Sequence, residues 1–156
     1  MSIRCASKAI ILKKGYILLN KCINENGRIY YDLPGGGQGI YESLEQAVVR
    51  EVKEETGYDV RVDKFIALAE EIYTSDELRE KLPNYTHRIF HVFKAEIIGE
   101  NKEDPTETDY GMEESVWMPL NNIEYIAETC SPWLSKLLIS LEKCDTPLYL
   151  GTEYKN

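Results

Sequence analysis

The sequence has few cysteines, no long apolar run and a deficit of positive charge. Its four cysteines include no pair with the spacing of a zinc knuckle or a redox dithiol. No run approaches the ~18 consecutive apolar residues of a membrane-spanning helix, and the N-terminal residues lack the pattern of a secretory signal. These absences predict a cytoplasmic, reducing environment without membrane contact. The cysteines, which we expect to be reduced and mostly buried, are Cys5, Cys22, Cys130 and Cys144.

The deficit of positive charge argues against one class of partner. The 18 lysines and arginines stand against 27 aspartates and glutamates, which gives a formal net charge of -9. Proteins that wrap long nucleic acids need a clustered excess of positive charge, so this charge argues against such partners. A small phosphorylated ligand is still compatible with the sequence if a divalent cation supplies the missing positive charge.

Length and composition predict one folded domain. The chain has 156 residues, of which 43% are hydrophobic, and this content is too high for a disordered chain. No repeat or linker interrupts it, so we treat residues 1–156 as a single domain.

Segments rich in Ile, Val, Leu and Tyr predict a sheet. Residues 6–12 and 16–22 flank a Lys-Lys-Gly turn and should form a hairpin. Residues 60–73 and 86–98 should be neighbouring strands, joined by a polar connection that contains a helical turn. Pro34, in the glycine-rich turn PGGGQG, is expected to end regular pairing. The predicted strands are residues 6–12, 16–22, 29–33, 60–73, 86–98 and 116–119.

A helix over residues 44–56 is well signalled at both ends. Ser43 and Gln46 have the spacing of a capping box, and Gly57 is suited to the left-handed conformation that ends a helix. A second helix should begin at Pro132 within a helical tail, residues 121–156. Its core-facing stripe is Trp133, Leu134, Leu137, Leu138 and Leu141.

Three glutamates of the first helix suggest chemistry. Residues three and four apart share a helix face, so Glu51, Glu54 and Glu55 should project into one small volume. A solvated acidic face is one interpretation. The other is a site for a hard divalent cation, which prefers carboxylate oxygens and phosphate. The glycine turn just before the helix favours the second interpretation, because glycines allow backbone groups to approach the same ion.

The spacing of these residues resembles a known motif. Gly36, five residues, Glu42, seven residues and then REVKEETGY resemble the 23-residue Nudix box, here residues 36–58. The segments AIILKKGYILLNKC, LPGGG and VWMPL also resemble the opening hairpin, motif entry and closing strand of Nudix domains. Many relatives have an acidic residue at the position of Gly39 and a glycine at that of Tyr41, and this sequence differs at both.

The resemblance implies an α+β fold, an α/β/α sandwich whose mixed β-sheet is flanked by helices. It implies hydrolysis of a nucleoside diphosphate linked to another group, with Mg²⁺ or Mn²⁺ bound. Nucleoside triphosphates are the favoured substrates, as in MutT-like enzymes, and ADP-ribose or a nucleotide sugar is the alternative. A catalytically silent nucleotide-binding domain and an acidic interaction module are the non-enzyme alternatives. A monomer and a homodimer are both compatible with the sequence.

The resemblance also assigns roles within the box. Arg50 is expected to orient Glu51 through a charge-assisted hydrogen bond. Glu42 is expected to brace the turn and the helix, or to bind metal through water. The metal ligands implied by position are Gly36, through its backbone carbonyl, and Glu51, Glu54 and Glu55.

Candidates outside the box come from the acidic loop of residues 99–115 and from one strand. The resemblance allows the general base to be either a box glutamate or a carboxylate of this loop. Glu113 and Glu114 are the loop candidates for that base or for a further acidic ligand, against the alternative of a plain acidic loop. Weaker candidates in that loop are Glu103, Asp104, Glu107 and Asp109.

Two histidines and several aromatic residues are candidates for substrate contact. His87 and His91 share one strand face, although ordinary structural histidines have the same pattern. The bulky Tyr41 is a candidate because it follows the glycine turn. The candidates for stacking on a nucleobase, against a simple packing role, are Tyr85, Phe90 and Tyr110.

Overall fold

The computed structural model describes residues 3–108, 111–141 and 147–155. Within these ranges the chain forms eight strands, four α-helices and a 3-10 turn at Leu120–Asn122. The strands are β1 (Arg4–Lys13), β2 (Tyr16–Ile23), β3 (Ile29–Asp32), β4 (Gly35–Gly37), β5 (Tyr58–Tyr73), β6 (His87–Lys102), β7 (Met112–Pro119) and β8 (Leu148–Lys155). The helices are α1 (Leu44–Thr56), α2 (Asp76–Lys81), α3 (Ile123–Thr129) and α4 (Pro132–Ser140).

The strands form one mixed sheet in the order β3-β2-β1-β6-β5-β8, with β4 paired to β1 and β7 paired to β2. β1 runs parallel to β6 and β5 runs parallel to β8, whereas the other pairs are antiparallel. The predicted β1–β2 hairpin and the predicted β5–β6 pairing are both confirmed.

Helices cover both faces of this sheet. Val48 and Val52 of α1 pack in one core against residues of β1, β2, β5 and β6. Trp133 and Leu134 of α4, with Ile126 of α3, pack in a second core on the other face. The architecture is the predicted α/β/α sandwich, and its two cores form because inward-facing strand residues alternate between the faces.

The predicted helix 44–56 agrees with α1 at both ends. Ser43 accepts a hydrogen bond from the amide of Gln46, and the Gln46 side chain accepts one from the Ser43 amide, which completes the capping box. Gly57 ends the helix with a left-handed φ of 75°. The capping signals in the sequence therefore predict correctly which residues of this segment, including its glutamates, are helical.

Three expectations about strands differ from the structure. Pro34 does not end pairing: its carbonyl accepts a hydrogen bond from the Ala9 amide at 2.8 Å, and Gly35–Gly37 then pair with β1. The β2–β3 ladder does end at Asp32, and the pairing after Pro34 is a new ladder with β1, which the proline tolerates because it lacks a donor but keeps its acceptor. The tail 121–156 is helical only in part, because Leu148–Lys155 forms β8 on the open edge of β5. The predicted strand 116–119 is also longer, since β7 begins at Met112.

The thiols in the described residues are free. Cys22 is buried, and Cys5 and Cys130 are partly buried. Burial raises the pKa of Cys22 to about 11 and that of Cys130 to about 12, so both are protonated and unreactive at neutral pH. Cys144 lies outside the described residues.

Candidate active site

The glycine turn lies in close contact with β1 and with helix α1. A Cβ atom added at Gly35, whose φ is +125°, would lie 2.2 Å from the carbonyl oxygen of Ser7. A Cβ atom added at Gly36 would lie 2.3 Å from an oxygen of the Glu51 carboxylate. Neither contact leaves room for a side chain, so glycine at both positions lets the backbone meet β1 on one side and a carboxylate of α1 on the other.

Arg50 gathers the carboxylates around this turn. Its guanidinium group donates two hydrogen bonds to Glu42, at 2.8 and 2.9 Å. One nitrogen, Nη1, donates to both Glu51 and Glu54 at 2.9 Å, and Nη2 donates to the carbonyl of Gly37 at 3.0 Å. The hydrogen bonds to Glu42 raise the pKa of Arg50, and the same contacts lower the pKa of Glu42. Arg50 is therefore a permanent cation that joins three carboxylates to the turn, and its hydrogen bond to Glu51 is the contact that the resemblance predicts.

Glu55 is directed elsewhere. Its side chain is only 2% exposed, and Oε2 accepts hydrogen bonds from the Gly35 amide and from Asn20 Nδ2, each at 2.8 Å. The hydroxyl of Ser115 on β7 in turn donates to Asn20 Oδ1 at 2.9 Å. Glu55 thus ties α1 to the glycine turn and to the sheet. Of the three glutamates expected in one volume, Glu51 and Glu54 share one nitrogen of Arg50, whereas Glu55 bonds to Gly35 and Asn20 instead.

The donor set at the turn suits a hard divalent cation. Glu51 and Glu54 converge on one nitrogen of Arg50, and Glu51 lies in a cradle against Gly36 that a side chain would fill. Carboxylate and carbonyl oxygens are the ligands that such cations prefer. In this conformation the described residues contain no group of three or more Asp, Glu, His or Cys side chains placed to hold an ion. The reason is visible in the hydrogen bonds: Arg50 holds Glu51 and Glu54, while Glu55 faces Gly35 and Asn20.

A cavity of about 540 Å³ opens beside Asn20. Its volume lies in the range of small-molecule sites. Three cationic side chains, Lys8, Arg88 and Lys155, line it together with the carboxylates of Asp32 and Glu71. Its aromatic walls are Tyr30, Tyr31, Tyr73, Tyr85, Phe90 and Trp133. The cavity thus combines aromatic surface with an excess of positive charge in a chain whose net charge is -9.

One end of the cavity is built on a buried carboxylate. Glu71, 2% exposed, is the acceptor for Arg88, for Lys155 Nζ at 2.7 Å and for Trp133 Nε1 at 3.1 Å. The ring of Trp133 stacks on that of Phe90 with centroids 4.9 Å apart. Of these residues, sequence reasoning selected only Phe90 for a ligand contact. The sequence gives no sign that Glu71 and Lys155 are partners, because they are far apart along the chain and only the pairing of β8 with β5 brings them together.

Lys8 is a further residue that sequence reasoning missed. It lies in the middle of β1 and is 5% exposed, and its ammonium group donates to Asp32, to the Leu33 carbonyl and to the Gly35 carbonyl. A signal for it existed in the sequence. A lysine directly before the apolar run AIIL, inside the predicted strand 6–12, is unusual, because lysine is almost never fully buried unless it is paired.

The structure pairs the two acidic candidates of β7 with a lysine of β2. Lys21 Nζ lies 3.0 Å from a carboxylate oxygen of Glu113 and 3.7 Å from one of Glu114. Ser115, the next residue, faces Asn20 and Glu55. Because successive strand residues point to opposite faces, Glu114 is directed away from Glu55.

The other acidic candidates border the end of α1. Glu103 pairs with Lys53 at 2.9 Å, and the amides of Thr106 and Glu107 donate to the Glu54 carbonyl. The loop that carries Glu103, Asp104 and Glu107 is therefore attached to the helix through its backbone. Asp109 and Tyr110 lie outside the described residues.

The histidines and Tyr41 are not brought to the carboxylates of the box. His87 Nε2 lies 2.8 Å from Glu70 Oε1. His91 is partly buried near Phe65, and burial lowers its pKa. Tyr41 has a left-handed φ of 65° and is fully exposed, so it does not line the cavity. Of the aromatic candidates, Tyr85 and Phe90 do line it.

Comparison with known proteins identifies the family. A family profile described as "NUDIX domain" matches residues 5–138, and this chain belongs to the Nudix family. Members of this family generally use divalent metal ions. In the part of the chain that the structure describes, no helix has the length and apolarity needed to cross a membrane.

Relatives of the chain include one curated protein and several solved structures. The chain is 32% identical over 122 residues to an ADP-ribose pyrophosphatase of Methanocaldococcus jannaschii. This match covers 78% of the chain but 65% of the relative, so the chain spans less than two thirds of that protein's length. A Nudix hydrolase from Nitrosomonas europaea superimposes with a TM-score of 0.72 at 21% identity, over 94% of both chains. A MutT protein from Methanosarcina mazei Go1 gives a TM-score of 0.65 at 25% identity, over 90% of this chain and 94% of that one.

Proposed function

We propose that this protein hydrolyses the pyrophosphate bond of a nucleoside diphosphate linked to another group, and that it does so with bound Mg²⁺, for which Mn²⁺ can substitute. The observation that carries the proposal is the convergence of Glu42, Glu51 and Glu54 on Arg50 at the glycine turn. Membership of the Nudix family supports the same reaction class.

Glu51 and Glu54, with the backbone carbonyl of Gly36, are the proposed metal ligands, and Glu55 is the proposed third carboxylate ligand. When bound, divalent ions neutralise charge on the phosphates and activate water for attack on phosphorus. Arg50 supports this site because it fixes the directions of Glu51 and Glu54 before any ion arrives. Such preorganised electrostatics supply most of the catalysis in many enzymes.

A glutamate of the box is a better candidate for the general base than Glu114. The carboxylates of Glu51 and Glu54 are partly exposed at the turn, so a water molecule can reach them there. Glu114 faces Lys21 across the β2–β7 ladder, on the side away from Glu55. We therefore assign proton transfer to a glutamate of the box and a peripheral position to Glu113 and Glu114.

The cavity beside Asn20 is proposed to hold the nucleoside part of the substrate. Aromatic walls such as Tyr85 and Phe90 provide surfaces on which a base stacks. Lys8, Arg88 and Lys155 provide positive charge for an anionic ligand. Nucleoside triphosphates remain our first candidate substrates. ADP-ribose is the second candidate, and the name of the Methanocaldococcus jannaschii relative favours it.

A nucleotide panel tests the proposal. Product release from nucleoside triphosphates, ADP-ribose and a nucleotide sugar would be measured with and without Mg²⁺ and ranked by kcat/KM. Glu54→Gln and Glu55→Gln are expected to lower kcat by about 10² or more, because each removes an anionic ligand. Glu96→Gln is the matched control, since Glu96 is an exposed strand glutamate paired with Arg61.

The panel also separates the alternatives. Metal-independent turnover, or unchanged turnover in both active-site variants, would contradict the proposed site. Tight nucleotide binding without any turnover by the wild-type protein would identify a catalytically silent binding domain instead.

A further inference from the structure

We propose that Lys8 is a positioning residue of this active site, and that its buried ammonium group fixes the glycine turn against which the carboxylates of α1 are arranged. The inference rests on the proposed function, since it concerns the same turn. It assigns a specific task to a residue that lies outside the box in sequence.

The contacts of Lys8 converge on the turn. Nζ lies 3.0 Å from the Leu33 carbonyl, 2.7 Å from the Gly35 carbonyl and 3.0 Å from Asp32 Oδ2. These three contacts match the three donors of an ammonium group. The two carbonyls stand on either side of Pro34, so Lys8 bridges the bend through which the chain enters the turn. A buried ammonium is unfavourable unless its charge is paired and its donors are bonded, and both conditions are met here.

Gly35 is held from three directions. The β1 backbone leaves no space for a side chain, because a Cβ atom on Gly35 would lie 2.2 Å from the Ser7 carbonyl oxygen. The Gly35 amide donates to Glu55 at 2.8 Å, which holds the peptide unit that precedes the residue. Lys8 holds the carbonyl of the peptide unit that follows it.

The peptide unit held by Lys8 leads directly into Gly36, the proposed carbonyl ligand. Glycine has more backbone freedom than any other residue, so an unrestrained Gly35 would let this part of the turn rotate. The pairing of Gly35–Gly37 with β1 restrains it in part, and Lys8 and Glu55 add restraints at opposite ends of Gly35. In this way Lys8 sets the direction of the Gly36 backbone relative to the carboxylate of Glu51, which lies in the cradle at Gly36.

The alternative role is a structural ion pair between Lys8 and Asp32. Asp32 has a partly exposed side chain, so water can solvate its carboxylate when the pair is lost. If only the ion pair matters, removing either partner should have the same effect. If the hydrogen bonds of Lys8 to the Leu33 and Gly35 carbonyls matter, removing Asp32 should change the turn and the Mn²⁺ affinity little, because Lys8 keeps both contacts.

Three variants distinguish these roles: Lys8→Met, Asp32→Asn and the double variant Lys8→Met/Asp32→Asn. The double variant is included because it leaves no charge without its partner and so protects folding. Two readouts apply to each folded protein: the Mn²⁺ dissociation constant from electron paramagnetic resonance, and amide hydrogen exchange of the turn glycines by NMR. Unfolding midpoints confirm that each protein is folded under the conditions used.

We expect both variants that lack Lys8 to bind Mn²⁺ about tenfold more weakly and to exchange the amides of residues 35–37 about tenfold faster. Asp32→Asn should stay within about twofold of wild type on both measures. A merely structural lysine would lower the unfolding midpoint without changing the Mn²⁺ affinity of the folded protein.

Two results would overturn the role of Lys8. One is a folded double variant with wild-type Mn²⁺ affinity and wild-type amide exchange, and the other is an Asp32→Asn variant as impaired as Lys8→Met. If the wild-type protein itself binds no Mn²⁺, the proposed function fails. The exchange measurement then still decides whether Lys8 fixes the turn.

Discussion

Replacing Arg50 by lysine tests whether a planar cation organises the site. The substitution keeps the positive charge but removes the fork of donors. Arg50 makes five hydrogen bonds, two to Glu42 and one each to Glu51, Glu54 and the Gly37 carbonyl. A lysine has three donors at a single point and cannot reproduce this arrangement.

The expected loss of stability is small. At least two of the five hydrogen bonds must be lost, and the Arg50 side chain is 38% exposed, so solvent screens each contact. At roughly 0.5 kcal/mol for each screened contact, the free energy of unfolding should fall by about 1 kcal/mol. For a chain of this size, that change lowers Tm by about 2–4 °C.

The expected loss of activity is much larger. Without the fork, Glu51 and Glu54 are no longer fixed by one nitrogen atom, and a displacement of about 1 Å at a reacting centre costs about 10² in rate. We therefore expect kcat/KM of Arg50→Lys to fall by about 10², with the protein still folded. The measurement is steady-state hydrolysis of the best substrate in Mg²⁺, together with thermal unfolding.

Arg61→Lys is the matched control. Arg61 is an exposed strand arginine with a single 3.1 Å hydrogen bond to Glu96, so the same substitution there should change neither activity nor Tm. An Arg50→Lys protein that matched Arg61→Lys in kcat/KM would refute the idea that the planar fork organises the carboxylates.

Two further predictions follow from single contacts. Gly36→Ala should lower kcat by about 10², because its Cβ would lie 2.3 Å from the Glu51 carboxylate. Gly39→Ala is the control and should retain activity, because the closest contact of its Cβ would be 3.1 Å. Equal losses of kcat in the two variants would contradict this steric argument. Burial lowers the pKa of His91 from 6.5, so the unfolded chain binds a proton at this histidine more readily than the folded protein does. The buried neutral histidine therefore contributes stability above pH ~6.5, and this contribution is lost as the pH falls through the folded-state pKa. Between about pH 7.5 and 5.5, wild-type Tm should therefore fall more than that of His91→Gln, and parallel curves would exclude the effect.

Local signals in the sequence determined helix α1, the hairpin and the sheet-forming segments. Ser43, Gln46 and Gly57 fix the ends of α1 because capping depends on residues within one turn of each helix end. The position of α1 in turn places Arg50 beside Glu54, since residues four apart share a helix face, and the structure shows a further hydrogen bond to the adjacent Glu51. Helix spacing thus accounts for the Arg50–Glu54 contact and the resemblance for Arg50–Glu51, whereas the contact of Arg50 with Glu42 depends on how the turn folds against the helix.

The tertiary structure alone decided what surrounds that cluster. Strand β8 forms because β5 offers unpaired hydrogen-bonding groups at its edge, and β8 then brings Lys155 to Glu71 across most of the chain. Glu55 turns inward because Asn20 and the Gly35 amide meet it there. Strand pairing and burial depend on partners that are distant in sequence, whereas a helix and its caps depend on neighbours. The sequence by itself thus determined the Nudix box and helix α1. The fold decided the cavity and the hydrogen bonds of Lys8 to the glycine turn.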